Sequence, residues 1–509
     1  MMFNAGDGFH YEKLPEGTRV IYPPEPLEPL ADPYVAIERA LLMPMDMEPL
    51  HELLRPGMTL TIAFDDLSLP LPPMRRPDIR QMVVERVLEK AAAKGVEDIH
   101  LIAALGLHRR MTEAELRHCL GKNTVDRFYP DRLYNYDAED EKNHLTIGTT
   151  DRGEEVSINR RAAESDLLVY VNINLVAMDG GHKSVHTGIS PYSSIRHHHN
   201  VHTLEHTRSL MDPPNSALHG SVGRMGTILD ENLKVFHIET TLNNHAFPPV
   251  FDFMAKPEHE WSAVTKANFL FNHKATSAMP RAVSRRIFQS IVAPHKMTSV
   301  QAGATIPVHA ETLKNVYKQQ LVSVEGQSDV LLMGVPYIGP YNVNSIMNPL
   351  LVHCQLLGYL FNLYKGKPLV REGGVLIATH PVPNDFHEIH HPSYIDFFNE
   401  VLPETTDPKE IEKNFEERYA HDPWYKTLYR NSYAYHGVHP FYMWYWGAHA
   451  LDYLGDVIFV GGDPMTTSRM GYKRADTVAE ALEMAKDTVG PNPSRTYMHL
   501  PPLFMVEVN

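Results

Sequence analysis

The stretch Gly57–His108, GMTLTIAFDDLSLPLPPMRRPDIRQMVVERVLEKAAAKGVEDIHLIAALGLH, decides how the chain folds. Residues 57–66 have strand character and end on Asp65 and Asp66, before a proline-rich turn. The run 78–95 reads as a helix: Asp78 can cap it, apolar residues recur at helical spacing, and Gly95 can close it. Residues 98–106 form a second strand, with His108 in the loop that follows. Thr112 and Glu115 then form a capping box that opens the next helix. Strand, helix, strand, helix predicts a parallel α/β sheet. Ligands of open α/β sheets bind at the carboxyl ends of the strands, here marked by Asp65, Asp66 and His108.

The same pattern returns along the chain. SDLLVYVNIN (165–174) predicts a strand, running into the glycine-containing loop AMDGGHKSVHTGIS (177–190) with Lys183. YSSIRHHHNVHTLEHTRSLM (192–211) predicts a helix, and LKVFHIETTLN (233–243) a buried strand. Composition shifts at 276–300, which we read as a linker between an N-terminal domain (1–275) and a C-terminal α/β domain (301–490). The second domain is expected to carry strands at 328–336, 373–381 and 455–462 and a long apolar helix within 342–364. A His- and aromatic-rich insertion spans 382–450. Residues 1–50, rich in proline, are expected to wrap the surface, and the segment 491–509 to return to the N-terminal domain. The fold class is therefore α/β, with two α/β domains and a ligand cleft between them.

Composition narrows the function. The 509 residues carry a net charge of −15, which argues against nucleic-acid or anionic-membrane partners. Two cysteines exclude a disulfide framework and a Cys-rich zinc module, and fit a reducing cytosol. The N-terminal MMFNAGDGFHYEK lacks a basic-then-apolar pattern, so a cytoplasmic protein without a signal peptide is expected. Thirty histidines raise the prospect of metal or acid–base chemistry, with lineage composition as the plainer alternative.

Several residues carry candidate chemistry. Asp66 at a strand end can accept hydrogen bonds from ribose hydroxyls, or simply cap its loop. His108 is placed to act as a general base, with Arg109 beside it for an anion, or is a structural loop histidine. Gly180 and Gly181 let a backbone approach a ligand, and Lys183 can serve as a phosphate ligand or a covalent attachment point. On a helix, His198, His202 and His206 share one face and could bind zinc or nickel. His387, His390 and His391 could do the same, although a solvated polar cluster accounts for them more simply.

In order and spacing these motifs resemble the lactate racemase family, whose members use a nickel-pincer nucleotide cofactor. The turn Asp66–Pro70 is similar to the family's D-x-T-R-P turn, and GLHRRMTEAE (106–115) to its G-T-H-R-P motif followed by T-x-x-E. DGGHKSVHTGIS (179–190) is similar to its S-G-G-x-K segment, and His199 lies sixteen residues after Lys183, at the family's nickel-binding spacing. MDPPNSALHG (211–220), DPWYKTLYRN (422–431) and MGYKRADTVAEALEMA (470–485) look like its connecting segments. The resemblance implies that Lys183 is joined to the cofactor, that His199 ligates nickel, and that Asp66, Ser68, Gly180 and Gly181 help hold the nucleotide. It also implies that His108 takes the hydroxyl proton while a hydride leaves the same carbon, giving a transient 2-keto acid.

Departures from the pattern fall on the substrate side. Leu69 replaces an arginine, Asn174 stands near the place of a second catalytic histidine, and Met347 and Leu350 replace a Q-x-x-K pair. The expectation is a racemase or epimerase of a 2-hydroxy acid other than lactate. A relocated second base would come from His182, His186 or His198, and a carboxylate partner from Arg75, Arg76 or Arg109. The implied partners are a small hydroxy acid and the enzymes that load the cofactor. Two alternatives remain at this point: a zinc-type hydratase or hydrolase on the same fold, and a non-catalytic binder of a nucleotide or hydroxy acid.

Overall fold

The computed structural model describes residues 1–69 and 72–509; Pro70, part of the turn motif quoted above, lies outside them. The helix predicted after the first strand spans Ile79–Ala93 and is capped by Asp78, whose carboxylate accepts from the Arg80 amide at 2.9 Å. The capping box forms as expected and opens the helix Glu113–Phe128: the Glu115 amide donates to Thr112 Oγ1 at 3.2 Å, and the Thr112 amide to Glu115 Oε2 at 2.7 Å.

Six strands build the first sheet, in the spatial order Met297–Gly303, Val235–Leu242, Leu167–Asn174, Thr59–Asp65, Asp98–Ala104, Leu133–Asn135. Taken in chain order this is 6-5-4-1-2-3, the arrangement of dinucleotide-binding sheets, with the last strand antiparallel. Leu167–Asn174 and Val235–Leu242 are buried along their whole length, as strands covered on both faces must be. The order reverses between Thr59–Asp65 and Leu167–Asn174, so a crevice opens beyond Asp65 on one side and Asn174 on the other.

The second sheet runs Lys473–Ala475, Asp456–Val460, Val370–Thr379, Ser328–Pro336, Met2–Gly6, Phe9–Tyr11, with Arg495–Met498 and Arg19–Ile21 branching from Ser328–Pro336. It is parallel except for the hairpin Met2–Gly6 with Phe9–Tyr11. The architecture is thus α/β with two mixed, mostly parallel sheets.

Sheet membership cuts across the expected boundaries. The first residues do not wrap the surface: Met2 and Phe3 are fully buried and their strand pairs with Ser328–Pro336, whereas most of residues 11–49 lie exposed or half-buried as expected. Met297–Gly303, from the expected linker, is the edge strand of the first sheet. The C-terminal segment packs into the second sheet, where it meets N-terminal residues by pairing with Arg19–Ile21. Arg495–Met498 is the strand that joins that sheet, and Met505–Val508 pairs with Leu321–Val324 and Tyr364–Lys365. Apolar character alone does not say which sheet a strand joins, so these pairings were not readable in advance.

Two expected helices also differ. The segment 192–211 breaks into Tyr192–Ile195 and Val201–Glu205, because Asn200 caps the second piece by accepting from the Thr203 amide. The apolar helix of 342–364 is confined to Pro349–Leu360 and widens to a π-helical turn from Cys354. Among the described residues no helix is long and apolar enough to cross a membrane.

Candidate active site

The crevice at the reversal holds a cavity of about 100 Å³, lined by Asp65, Asp66, Ser68, His108, Asp179 and Lys183 among others. Asp66 organises one wall. Its carboxylate accepts from the Ser68 amide at 2.9 Å and the Ser68 hydroxyl at 3.0 Å, and its Oδ2 lies 2.9 Å from His108 Nδ1. Asp65 points the other way, accepting from the Ile173 amide at 2.8 Å and from the Asn172 side chain. Burial raises Asp65 to about 7, against those hydrogen bonds.

Lys183 projects from the helix Gly181–Gly188, which starts at the edge of this crevice. Gly180 supplies the turn into it with φ +90°, and a Cβ there would lie 2.5 Å from Glu239 Oε1. The Gly181 amide donates to that same oxygen at 2.6 Å, so Glu239 pins the start of the helix. Gly188 ends the helix against Ala104, where a Cβ would meet the Ala104 methyl at 2.7 Å. Burial pushes the Lys183 amine below its ordinary value, partly opposed by Asp179 and Asp65. A lowered amine is a better nucleophile near neutrality.

Behind Lys183 three imidazoles form a chain: His186 Nδ1 lies 3.2 Å from His198 Nε2, and His198 Nδ1 lies 2.6 Å from His199 Nδ1. Burial, with Lys183 and His108 nearby, brings His199 down to about 3, so it stays neutral. Its ring packs on Tyr442 and Trp446, with centroids 5.3 Å away in each case. Nε2 of His199 has no hydrogen-bond partner among the described residues, as a metal-ligating nitrogen would require. A lysine amine and a neutral imidazole beside a glycine turn are thus a donor set that suits a covalently held, nickel-bearing nucleotide.

The other predicted residues fall outside this group. Asn174 is buried behind Gly180 and donates to Glu239 Oε2 at 2.7 Å; it does not line the cavity. Arg109 turns away from His108 and forms a two-pronged pair with Glu115, at 2.6 and 3.1 Å, while also donating to the Val343 carbonyl. Burial would raise Glu115, but Arg109 holds it down to about 2. Met347 and Leu350 are buried in the second half. His182 pairs with Asp230 at 2.9 Å, while His186 and His198 belong to the chain behind His199.

The shared face expected for His198, His202 and His206 does not exist. His198 is buried and His202 and His206 are exposed, because the helix is broken between them. Among the described residues no group of three or more His, Cys, Asp or Glu is arranged to hold a metal ion.

Several residues that shape the site were not singled out from the sequence. The insertion folds down over His108. Tyr341, Tyr435 and His439 surround its ring, with centroids 5.1, 6.5 and 5.4 Å away. Tyr429 Oη donates to the Gly106 carbonyl at 3.0 Å and the His436 amide to Leu107 at 3.2 Å, clamping the loop. A second, larger cavity of about 500 Å³ lies beyond Leu69, bordered by Arg76, Arg80, Arg109 and, from the second half, Val343 and His390.

Fold and site together define a two-sheet α/β protein with a lysine- and histidine-lined crevice at a sheet reversal. The lactate racemase N-terminal domain family matches residues 6–212. Lactate racemase of Lactiplantibacillus plantarum is 29% identical over 167 residues, covering 32% of this chain and 37% of that protein. Lactate racemase of Thermoanaerobacterium thermosaccharolyticum is 26% identical over 168 residues, with the same coverages. The matched stretch therefore spans little more than a third of those relatives. The solved lactate racemase apoprotein from Thermoanaerobacterium thermosaccharolyticum superposes with a TM-score of 0.65 at 16% identity, over 99% of both chains. A crystal structure of a Thermotoga maritima protein gives 0.51 at 13% identity, over 90% of this chain and 96% of that one. Over residues 6–212 the chain matches the lactate racemase N-terminal domain family and is a distant homologue of lactate racemases.

Proposed function

We propose that the protein is a nickel-pincer nucleotide-dependent racemase or epimerase of a 2-hydroxy acid other than lactate. The observation that carries this reading is the placement of Lys183 with a lowered amine in the same crevice as the Asp66–His108 pair, with neutral His199 beside it. Lys183 would hold the cofactor, His199 would ligate its metal, and Asp66 with Ser68 would border it. When bound, such a cofactor supplies the acceptor and donor of hydride for the carbon that bears the hydroxyl.

The chain's own part is proton handling and exclusion of water. His108, fixed through Nδ1 by Asp66, takes the hydroxyl proton at Nε2 as the C–H bond breaks and returns it when the alcohol re-forms. The aromatic rings of Tyr341, Tyr435 and His439 cover one side of that imidazole and limit its access to water. Both enantiomers must lose their hydroxyl proton, and Asn174 cannot accept one. His439, packed against His108 and with its Nε2 buried without a partner, is the imidazole best placed for the second position.

Leu69 supports a substrate other than lactate, since it brings no charge to a position where the family's turn has an arginine. The test is to produce the protein in cells that make the cofactor and incubate it with single enantiomers of a panel of 2-hydroxy acids. Chiral chromatography should show interconversion of at least one larger acid at a rate well above that for lactate. Equal or exclusive turnover of lactate would contradict the substrate assignment, and no turnover of any acid would contradict the racemase assignment.

A further inference from the structure

The two cavities stand back to back across two short loops. Ser68 and His108 face the smaller one, while Leu67 and Arg109, their chain neighbours, face the larger, and Leu69 borders both. A group reaching past Leu69 from the reacting centre would therefore enter the larger space. At about 500 Å³ that space exceeds several-fold the roughly 150 Å³ that holds a benzene-sized guest.

Its lining says what kind of group it suits. Leu67, Leu69, Pro73, Met74 and Val343 give it apolar faces. Most of the polar groups around it are engaged within the chain, with the Arg76 guanidinium and Arg109 Nε as the exceptions among the described residues. Arg80 is paired with Asp78 at 2.8 Å, and Arg109 with Glu115 at 2.6 Å. Glu115 also accepts from the Thr112 amide and from Asn344. His118 Nε2 lies 2.9 Å from the Met74 carbonyl, and His390 Nδ1 2.8 Å from Ser345 Oγ. A polyhydroxylated chain placed there would find only Arg76 and Arg109 Nε to meet its hydroxyls, and each hydroxyl left unpaired would cost of order 1–3 kcal/mol. An aromatic ring needs no such partners. It would find a flat platform in His387 and His390, whose rings stack 3.7 Å apart at 10°.

We propose that the cavity beyond Leu69 receives the side chain of the substrate and that this side chain is aromatic, making the substrate an aryl-substituted 2-hydroxy acid. The inference rests on the racemase reading for the reacting end only; the side-chain site itself is a binding site and is tested as one.

Ala114 borders the cavity from the exposed first turn of its helix, so a larger residue there fills the space without disturbing a core. The experiment is calorimetric titration of the protein without cofactor, using 3-phenyllactate, lactate and gluconate as probes. Wild type should bind 3-phenyllactate at least tenfold more tightly than either other acid, the gain expected for burying one ring. Ala114→Trp should abolish that preference and leave lactate binding unchanged, while Ala114→Ser keeps it. Tighter binding of gluconate, absence of 3-phenyllactate binding at millimolar concentration, or an Ala114→Trp variant that still prefers 3-phenyllactate would each overturn the proposal. Failure of the racemase reading looks different: the ring preference and its loss in Ala114→Trp persist, while the loaded wild type interconverts no acid.

Discussion

Asp66 Oδ2 and His108 Nδ1 lie 2.9 Å apart, joining the carboxyl ends of two neighbouring parallel strands through one hydrogen bond. The bond sets the His108 ring with Nε2 free, as a proton acceptor needs. His108→Ala should lower turnover by about 10²–10⁴-fold. Asp66→Asn should lower it by roughly 10–100-fold, because the ring remains but its tautomer and orientation are no longer held. Steady-state kinetics on protein shown by mass to carry the same cofactor load checks both; an unchanged rate in His108→Ala removes it from the mechanism.

His439 is predicted to matter through contact with that ring. Its Nδ1 lies 2.5 Å from Tyr394 Oη, leaving Nε2 on the other edge. His439→Gln should reduce turnover at least tenfold with little change in melting temperature and full cofactor load, consistent with loss of one proton-handling group. Turnover within a factor of two of wild type would assign His439 to packing alone.

Arg109 was read from the sequence as an anion partner beside His108, and its pairing with Glu115 makes it structural instead. Removing one partner of a buried pair leaves the other charge uncompensated, at about 3–5 kcal/mol, whereas removing both is far cheaper. Arg109→Met and Glu115→Gln should each lower the urea midpoint strongly, and the double variant should recover much of the loss. Additive losses would contradict the pairing.

Two buried carboxyl groups predict a pH dependence of stability. Burial raises Asp65 from 3.8 and Glu416 from 4.5, each to about 7; Glu416 is held by hydroxyls of Tyr192 and Tyr445 at 2.9 and 3.0 Å. Between those ordinary values and about 7 the folded chain keeps protons that the unfolded chain has released. Stability therefore falls as pH rises through that window and levels off above it. Glu115 and Glu239, lowered from 4.5 to about 2, act at the acid end, where their contribution is lost as pH falls below 4.5. Urea midpoints between about pH 5 and about pH 8 should show the decline, and an Asp65→Asn, Glu416→Gln double variant should flatten it. A decline of equal size in the double variant would contradict the assignment.

What the sequence disclosed depended on how local the signal was. Asp78, Gly95 and the Thr112–Glu115 box act within one turn of helix, and the helices start and stop where those residues place them. The convergence of Asp66, His108 and Lys183 followed from a strand–helix alternation that puts strand ends on one rim. The burial of Met2–Gly6 in the second sheet, the break at Asn200 and the retreat of Asn174 behind Gly180 depend on partners far along the chain. Likewise, Arg109 finds Glu115 six residues on, but its burial depends on Val343, more than two hundred residues away. His439 and Tyr435 could have been suspected only from the aromatic density of 382–450, which predicts a wall and not which rings form it, and nothing local marked Tyr341.

The central claim is that Lys183 carries the cofactor, and intact-mass analysis with peptide mapping tests it most directly. Protein made in cells that synthesise the pincer nucleotide should gain one adduct, located on the peptide containing Lys183, and Lys183→Ala should fold normally and gain none. A folded wild-type protein with an unmodified Lys183 under those conditions would contradict the account.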